Sequence, residues 1–227
     1  MLREVRRVEI ALLKFVHVLA FVFWLGTDLA VWYIGFYAVN RKLSAETRVT
    51  VIRLLFALDM APRICMTLML ALGLHLSYRI GYLLVPRWVI YASYLVCLAW
   101  MSLVLYLHYG EKTRMQRALR RFDFGFRLAL IGGLSTYAAI SLSGLSGVSA
   151  DFIAWKLLIF ATIIACSLMV RMKLKPFGPA YHNLSAGEAT QADEDAIEHS
   201  IAVTRPWMLM IWLGLLVSAA LGLHLLG

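Results

Sequence analysis

Three of the chain's six histidines stand where an imidazole can do chemistry. His17 lies about two helical turns inside the first apolar stretch, while His75 and His224 each close a stretch long enough to cross a bilayer. Neutral imidazole nitrogens ligate iron or copper, and ionisable side chains seldom enter hydrocarbon without a task. His75 and His224 also hold the same place in a repeat. Ala71-Leu72-Gly73-Leu74-His75-Leu76 recurs as Ala220-Leu221-Gly222-Leu223-His224-Leu225. A similar polar start precedes each copy, Leu43-Ser44-Ala45-Glu46 and Leu184-Ser185-Ala186-Gly187-Glu188. Self-similarity at long spacing marks internal duplication, and a repeat interface in a membrane protein often carries the site. The bland alternative is coincidence in Leu/Ala/Gly-rich sequence.

Depth along a helix, at about 1.5 Å per residue, puts the three imidazoles at one level on the side that holds the termini. Lys14 and Lys156 lie just above them, with Arg79 and Arg87 in the adjoining loop. Imidazoles beneath a ring of cations are the pattern expected for heme b, with His17, His75 and His224 as candidate metal ligands and Lys14 and Lys156 as partners for the propionates. The same imidazoles would suit a copper ion. A histidine at a helix end can also rest in the headgroups, which is the competing reading for His75 and His224. His108 ends the third span on the opposite side and reads as interfacial.

A second polar group lies deeper. Asp59 and Arg63 stand four residues apart, acid first, on one helical face, and Asp28 in the preceding span is within reach of Arg63. A buried charge without a partner costs several kcal/mol, so pairing among these three is expected. The group serves either as a structural ion pair locking helices one and two together or as a proton path or substrate anchor. Pro62, close by, frees a backbone carbonyl that Arg63 or Thr67 can satisfy.

The elements that position these groups follow from composition. The chain is 62% hydrophobic and only 15% charged, with a mean hydropathy of +0.77, which excludes a soluble domain. Spanning hydrocarbon takes about 20 apolar residues as helix. Six stretches qualify: Ile10–Val39, Val49–Tyr78, Trp88–Tyr109, Leu128–Ser146, Phe152–Val170 and Trp207–Leu226. The expected fold is an all-α polytopic bundle of six transmembrane helices, residues 1–227 forming one domain, with helices one and two matching helices five and six as a parallel repeat. Lys14-Phe15-Val16-His17 has its counterpart in Lys156-Leu157-Leu158-Ile159, so His17 has no repeat partner. Cys65, Cys97 and Cys166 lie inside spans as small hydrophobes, with neither CxxC spacing nor a disulfide framework. Gly132-Gly133 and Gly144–Gly147 invite close helix approach. Most tryptophans and tyrosines read as interface anchors or packing.

The formal charge of +9 belongs to membrane loops and calls for no nucleic acid. The termini side carries Arg3, Arg6, Arg7, Lys14, Arg79, Arg87 and Lys156; the opposite side carries roughly twice as many bases, which makes it the cytoplasmic one. Both termini are then periplasmic in a bacterial inner membrane. Residues 110–127 are expected as a basic cytoplasmic surface helix against anionic headgroups. Residues 173–205 are expected as a cytoplasmic loop that turns acidic and forms a short helix before Pro206 opens the last span.

Helix one, Lys14-x-x-His17-(x6)-Trp24-x-Gly26, resembles the opening of the HemJ-type protoporphyrinogen oxidases and of CopD-like copper-resistance membrane domains. Pro62-(x4)-Thr67-(x5)-Gly73-x-x-Leu76 is similar to the second HemJ helix, and Tyr106-Leu107-His108-Tyr109 and Arg121-Phe122-Asp123 follow the same family. Trp155-Lys156-Leu157 and the basic exit at 171–175 look CopD-like. Two departures stand out: Asp123-Phe124 replaces the family's Asn-Glu pair, and two spans are added to the usual four. The resemblance implies b-type heme through His17 and redox chemistry or electron transfer at the membrane, with a quinone or a redox protein as partner. CopD-like copper transport is the alternative, and a structural or assembly subunit of a membrane complex the third. Whether the chain is an enzyme is left open, a membrane oxidoreductase being the class implied. No catalytic residue, substrate or oligomeric state follows.

Overall fold

The computed structural model describes residues 2–111, 113–145, 148 and 150–225. Lys112, Gly147 and the side chain of Arg3 lie outside the described residues. The chain forms α1 (Leu2–Ala38), α2 (Ala45–Leu58), α3 (Met60–Ile80), α4 (Arg87–Tyr109), α5 (Arg114–Leu142), α6 (Asp151–Lys173), α7 (Phe177–Ala186) and α8 (Gln191–Gly222). Among the described residues the only β pairing is an isolated bridge between Leu83 and Val148. Among the described residues six helical stretches are long and apolar enough to cross a membrane, α2 and α3 together making the second. The chain is an all-α polytopic bundle, as its hydropathy implies.

The ends of the elements differ from expectation, and each difference has a local cause. Residues 114–127 are not a separate surface helix but the first half of α5, which runs unbroken into the fourth span. Thr113 caps it by accepting the Gln116 amide at 3.2 Å, and Asp123 and Arg127 bury rather than face solvent. Likewise α8 starts at Gln191 behind a capping box of Thr190 and Asp193 and continues through Pro206. The cap is Thr190, while Leu184-Ser185-Ala186 belongs to α7. The second span is broken at Asp59, which ends α2 and opens α3. The break puts Pro62 in the first turn of α3, where no amide partner is needed. Thr67 Oγ1 donates to Ile64 O at 2.8 Å within its own helix.

Neighbours in the chain are neighbours in space. The closest-packed pairs are α1 with α3 and α6 with α8; α3 packs on α4, α4 on α5 and α5 on α6, and α8 closes the ring on α1. The main core lies between the spans and includes Trp24, Met66, Trp100, Phe160, Ile164 and Leu215. A second core lies where α1 ends, built from Ala38, Ile52, Phe177, Leu184 and Ile197 of α1, α2, α7 and α8. Fully burying side chains such as Ile52 and Ile197 is worth about 1.5–3 kcal/mol each. Arg48 ties this base together: it is 3% exposed, donates through Nε to Ala38 O at 2.9 Å and pairs with Glu194 at 2.6 Å. Outside it, exposed Arg41 bridges Asp195 and Glu198, and the hydrogen bond to Asp195 holds its guanidinium pKa above the ordinary value. Glycine contacts also depart from expectation. A Cβ on Gly132 or Gly133 would meet nothing within 4 Å, and Gly144 is a turn residue at φ +77°. Close approach occurs at Gly73, Gly214 and Gly222 instead.

Candidate functional site

His17 projects from α1 against α3 at Gly73, where an added Cβ would come within 3.3 Å of His17 Cε1. A larger residue there would press on the ring, which would have to give by a few tenths of an ångström. His17 Nδ1 is buried and has no hydrogen-bond partner. An uncompensated buried nitrogen costs about 1–3 kcal/mol, so an unpaired one calls for an explanation. Lys156, on α6, lies within electrostatic reach of the His17 ring.

Lys156 repeats this arrangement in the other half of the chain. A Cβ on Gly222 would meet Lys156 Nζ at 2.5 Å, and the ammonium lies 5.8 Å from the centroid of the Phe152 ring. Gly73 and Gly222 hold the same position in the duplicated hexapeptide. Each glycine admits a polar side chain from the partner span of its own unit, His17 in one and Lys156 in the other. The two side chains lie within electrostatic reach of each other, one from the α1–α3 pair and the other from the α6–α8 pair. Below them Trp24 and Phe160 stack edge to face at 6.4 Å.

The other residues expected in this site are placed differently. His75 stands two residues beyond Gly73, about 200° around α3, and so serves another flank. Its Nδ1 lies 3.1 Å from Tyr94 Oη and its Nε2 3.6 Å from Glu9 Oε1, while Glu9 also pairs with Arg79. His224 lies beyond the end of α8 with φ 55°, exposed, its ring 5.0 Å from that of Phe152. Lys14 is exposed on α1. Among the described residues no three His, Cys, Asp or Glu side chains form a group placed to hold a metal ion. Among the described residues the imidazoles are not gathered into one three-donor set, because depth along a helix does not fix direction around it.

The deeper polar group is larger than the sequence indicated. Arg63 pairs with Asp59, as the spacing implies. Asp28, 8% exposed, sits beside Trp24 within electrostatic reach of Asp59 and Arg63, without a direct ion pair to Arg63 among the described residues. His108 is within reach of the same two charges. Next to them is a centre the sequence reading missed. Asp123 is completely buried and accepts from Arg127 Nε at 3.1 Å, Trp100 Nε1 at 3.1 Å and Arg171. The Arg127 guanidinium lies over the Trp100 ring at 5.0 Å, and its Nη1 reaches Ser167 Oγ at 3.3 Å and Met66 Sδ at 3.9 Å. This network joins α3, α4, α5 and α6.

No family model matches the chain, and no curated protein or solved structure is significantly similar to it.

Proposed function

We propose that this chain is a membrane redox protein that holds heme b through His17, with Lys156 as the counter-charge to a propionate. The carrying observation is the buried, unpartnered His17 Nδ1 beside the Lys156 ammonium, in a seam cleared by two glycines at equivalent repeat positions. An axial ligand needs a neutral imidazole with a free nitrogen, and a buried cation favours a carboxylate near it. Bound there, the heme would supply one-electron transfer. The chain's own part is to fix the His17 ring against Gly73, to hold positive charge at Lys156, and to exclude water with Trp24 and Phe160. His75 has its Nδ1 engaged by Tyr94 and faces Glu9 with Nε2 on another flank of α3, which favours His17 over it as the ligand.

Copper handling fits less well, since a copper site of this kind needs several converging donors and the described residues offer no such group. The proposal keeps the likeness to HemJ-type proteins on the residues around His17, and it keeps electron exchange with a quinone or a redox protein as the task. It also keeps a bacterial inner membrane with periplasmic termini. The test is a reduced-minus-oxidised absorption spectrum of protein purified from heme-replete cells. A Soret band and an α band are expected in the wild type and lost in His17→Ala. A folded wild-type protein without either band would end the proposal.

A further inference from the structure

Charge around Asp123 is unbalanced. One carboxylate serves two guanidiniums, those of Arg127 and Arg171, while nearby Arg63 is paired with its own carboxylate, Asp59, and leaves the excess positive charge in place. Arg127 is 2% exposed, and its Nη2 is buried without a hydrogen-bond partner. Its other nitrogens are occupied by Asp123, Ser167 and Met66, so one donor of the guanidinium fork remains open. Arg171 stands two residues from the end of α6 with its side chain 37% exposed, which opens the cluster to the membrane boundary. Exposed Arg117, Arg120 and Arg121 lie on the outer turns of α5, followed by the exposed apolar rings of Phe122 and Phe124.

We infer that Arg127 and Arg171 form a binding site for one phosphate group, the anionic headgroup of a membrane phospholipid or free phosphate. Guanidinium forks match phosphate oxygens with paired N–H bonds, and an added anion would complete both the charge count and the open donor. The bases outside would draw the anion in, and the exposed phenylalanines would lie along the acyl chains of a lipid. Nothing in this site depends on heme.

The experiment uses the full-length protein in detergent and in nanodiscs of mixed phosphatidylglycerol and phosphatidylcholine. Native mass spectrometry counts retained lipid in wild type, R171Q and the charge-preserving R171K. Wild type is expected to keep one phosphatidylglycerol in preference to phosphatidylcholine, and R171Q to hold it about tenfold more weakly, the loss of one charge-assisted pair. R171K, which keeps the charge, is expected to recover part of the retention. A melting temperature raised by inorganic phosphate in lipid-free detergent, and not raised in R171Q, would assign the site to free phosphate. Equal retention of both lipids with no response to phosphate, or retention in R171Q equal to wild type, overturns the inference.

Discussion

At the scale of single residues, two histidines at the same depth have opposite prospects because of what surrounds them. His17 has a free buried nitrogen, whereas His75 is held between Tyr94 and Glu9. Tyr94→Phe is therefore expected to leave the b-type bands in place while His17→Ala removes them, measured on equal amounts of folded protein. Asp123 makes a second contrast. Asp123→Ala leaves two cations without their carboxylate and is expected to cost about 3–5 kcal/mol, read as a lowered thermal midpoint in detergent. The sequence carried that pair in plain form, since Asp123 and Arg127 have the same acid-first, four-residue spacing as Asp59 and Arg63. It was hidden by the hydropathy boundary at Leu128, which left Arg127 in a loop. Arg171 was hidden in the same way, counted as a loop base although it reaches back to Asp123.

At the scale of helices, hydropathy located every span because about 20 apolar residues are a requirement of the bilayer. It did not locate the ends, because α1, α2, α5 and α8 continue beyond the apolar part as amphipathic or polar helix. Cap chemistry at Thr113 and Thr190 marks those starts better than the onset of apolar sequence. Glycine content misled for a related reason: a glycine pair shows where helices can approach, not where a partner stands. At Gly214 an added Cβ would meet Ile163 Cγ1 at 2.9 Å and Ile159 Cγ2 at 3.2 Å. Gly214→Val is accordingly expected to destabilise by about 1–3 kcal/mol through overpacking, and Gly132→Ala to leave the thermal midpoint unchanged or slightly raised.

At the scale of the molecule, the apolar core between the spans is distinct from the base of α1, α2, α7 and α8, which has its own core and is tied by Arg48. Glu194→Ala strands the buried Arg48 guanidinium and is expected to cost on the order of 3 kcal/mol, with faster amide exchange in α2 and α7 as the measured sign. Orientation is testable independently of any cofactor. A cysteine placed at exposed Arg117 should react with a membrane-impermeant maleimide only in inverted vesicles, and one at exposed Leu84 only in intact spheroplasts. The opposite pattern would reverse the termini. Helix order and depth were legible because both follow from length and rise per residue. The angular facing of each side chain was not, since it depends on contacts between spans that no single span encodes.

One element runs from the base to the neighbourhood of Lys156. α8 is anchored at its acidic start by Glu194 to Arg48 and carries Gly222 against Lys156 at its far end. Between them Pro206 deletes a single rung of the ladder. The same continuous helix therefore joins the base to the wall on which the Lys156 side chain rests.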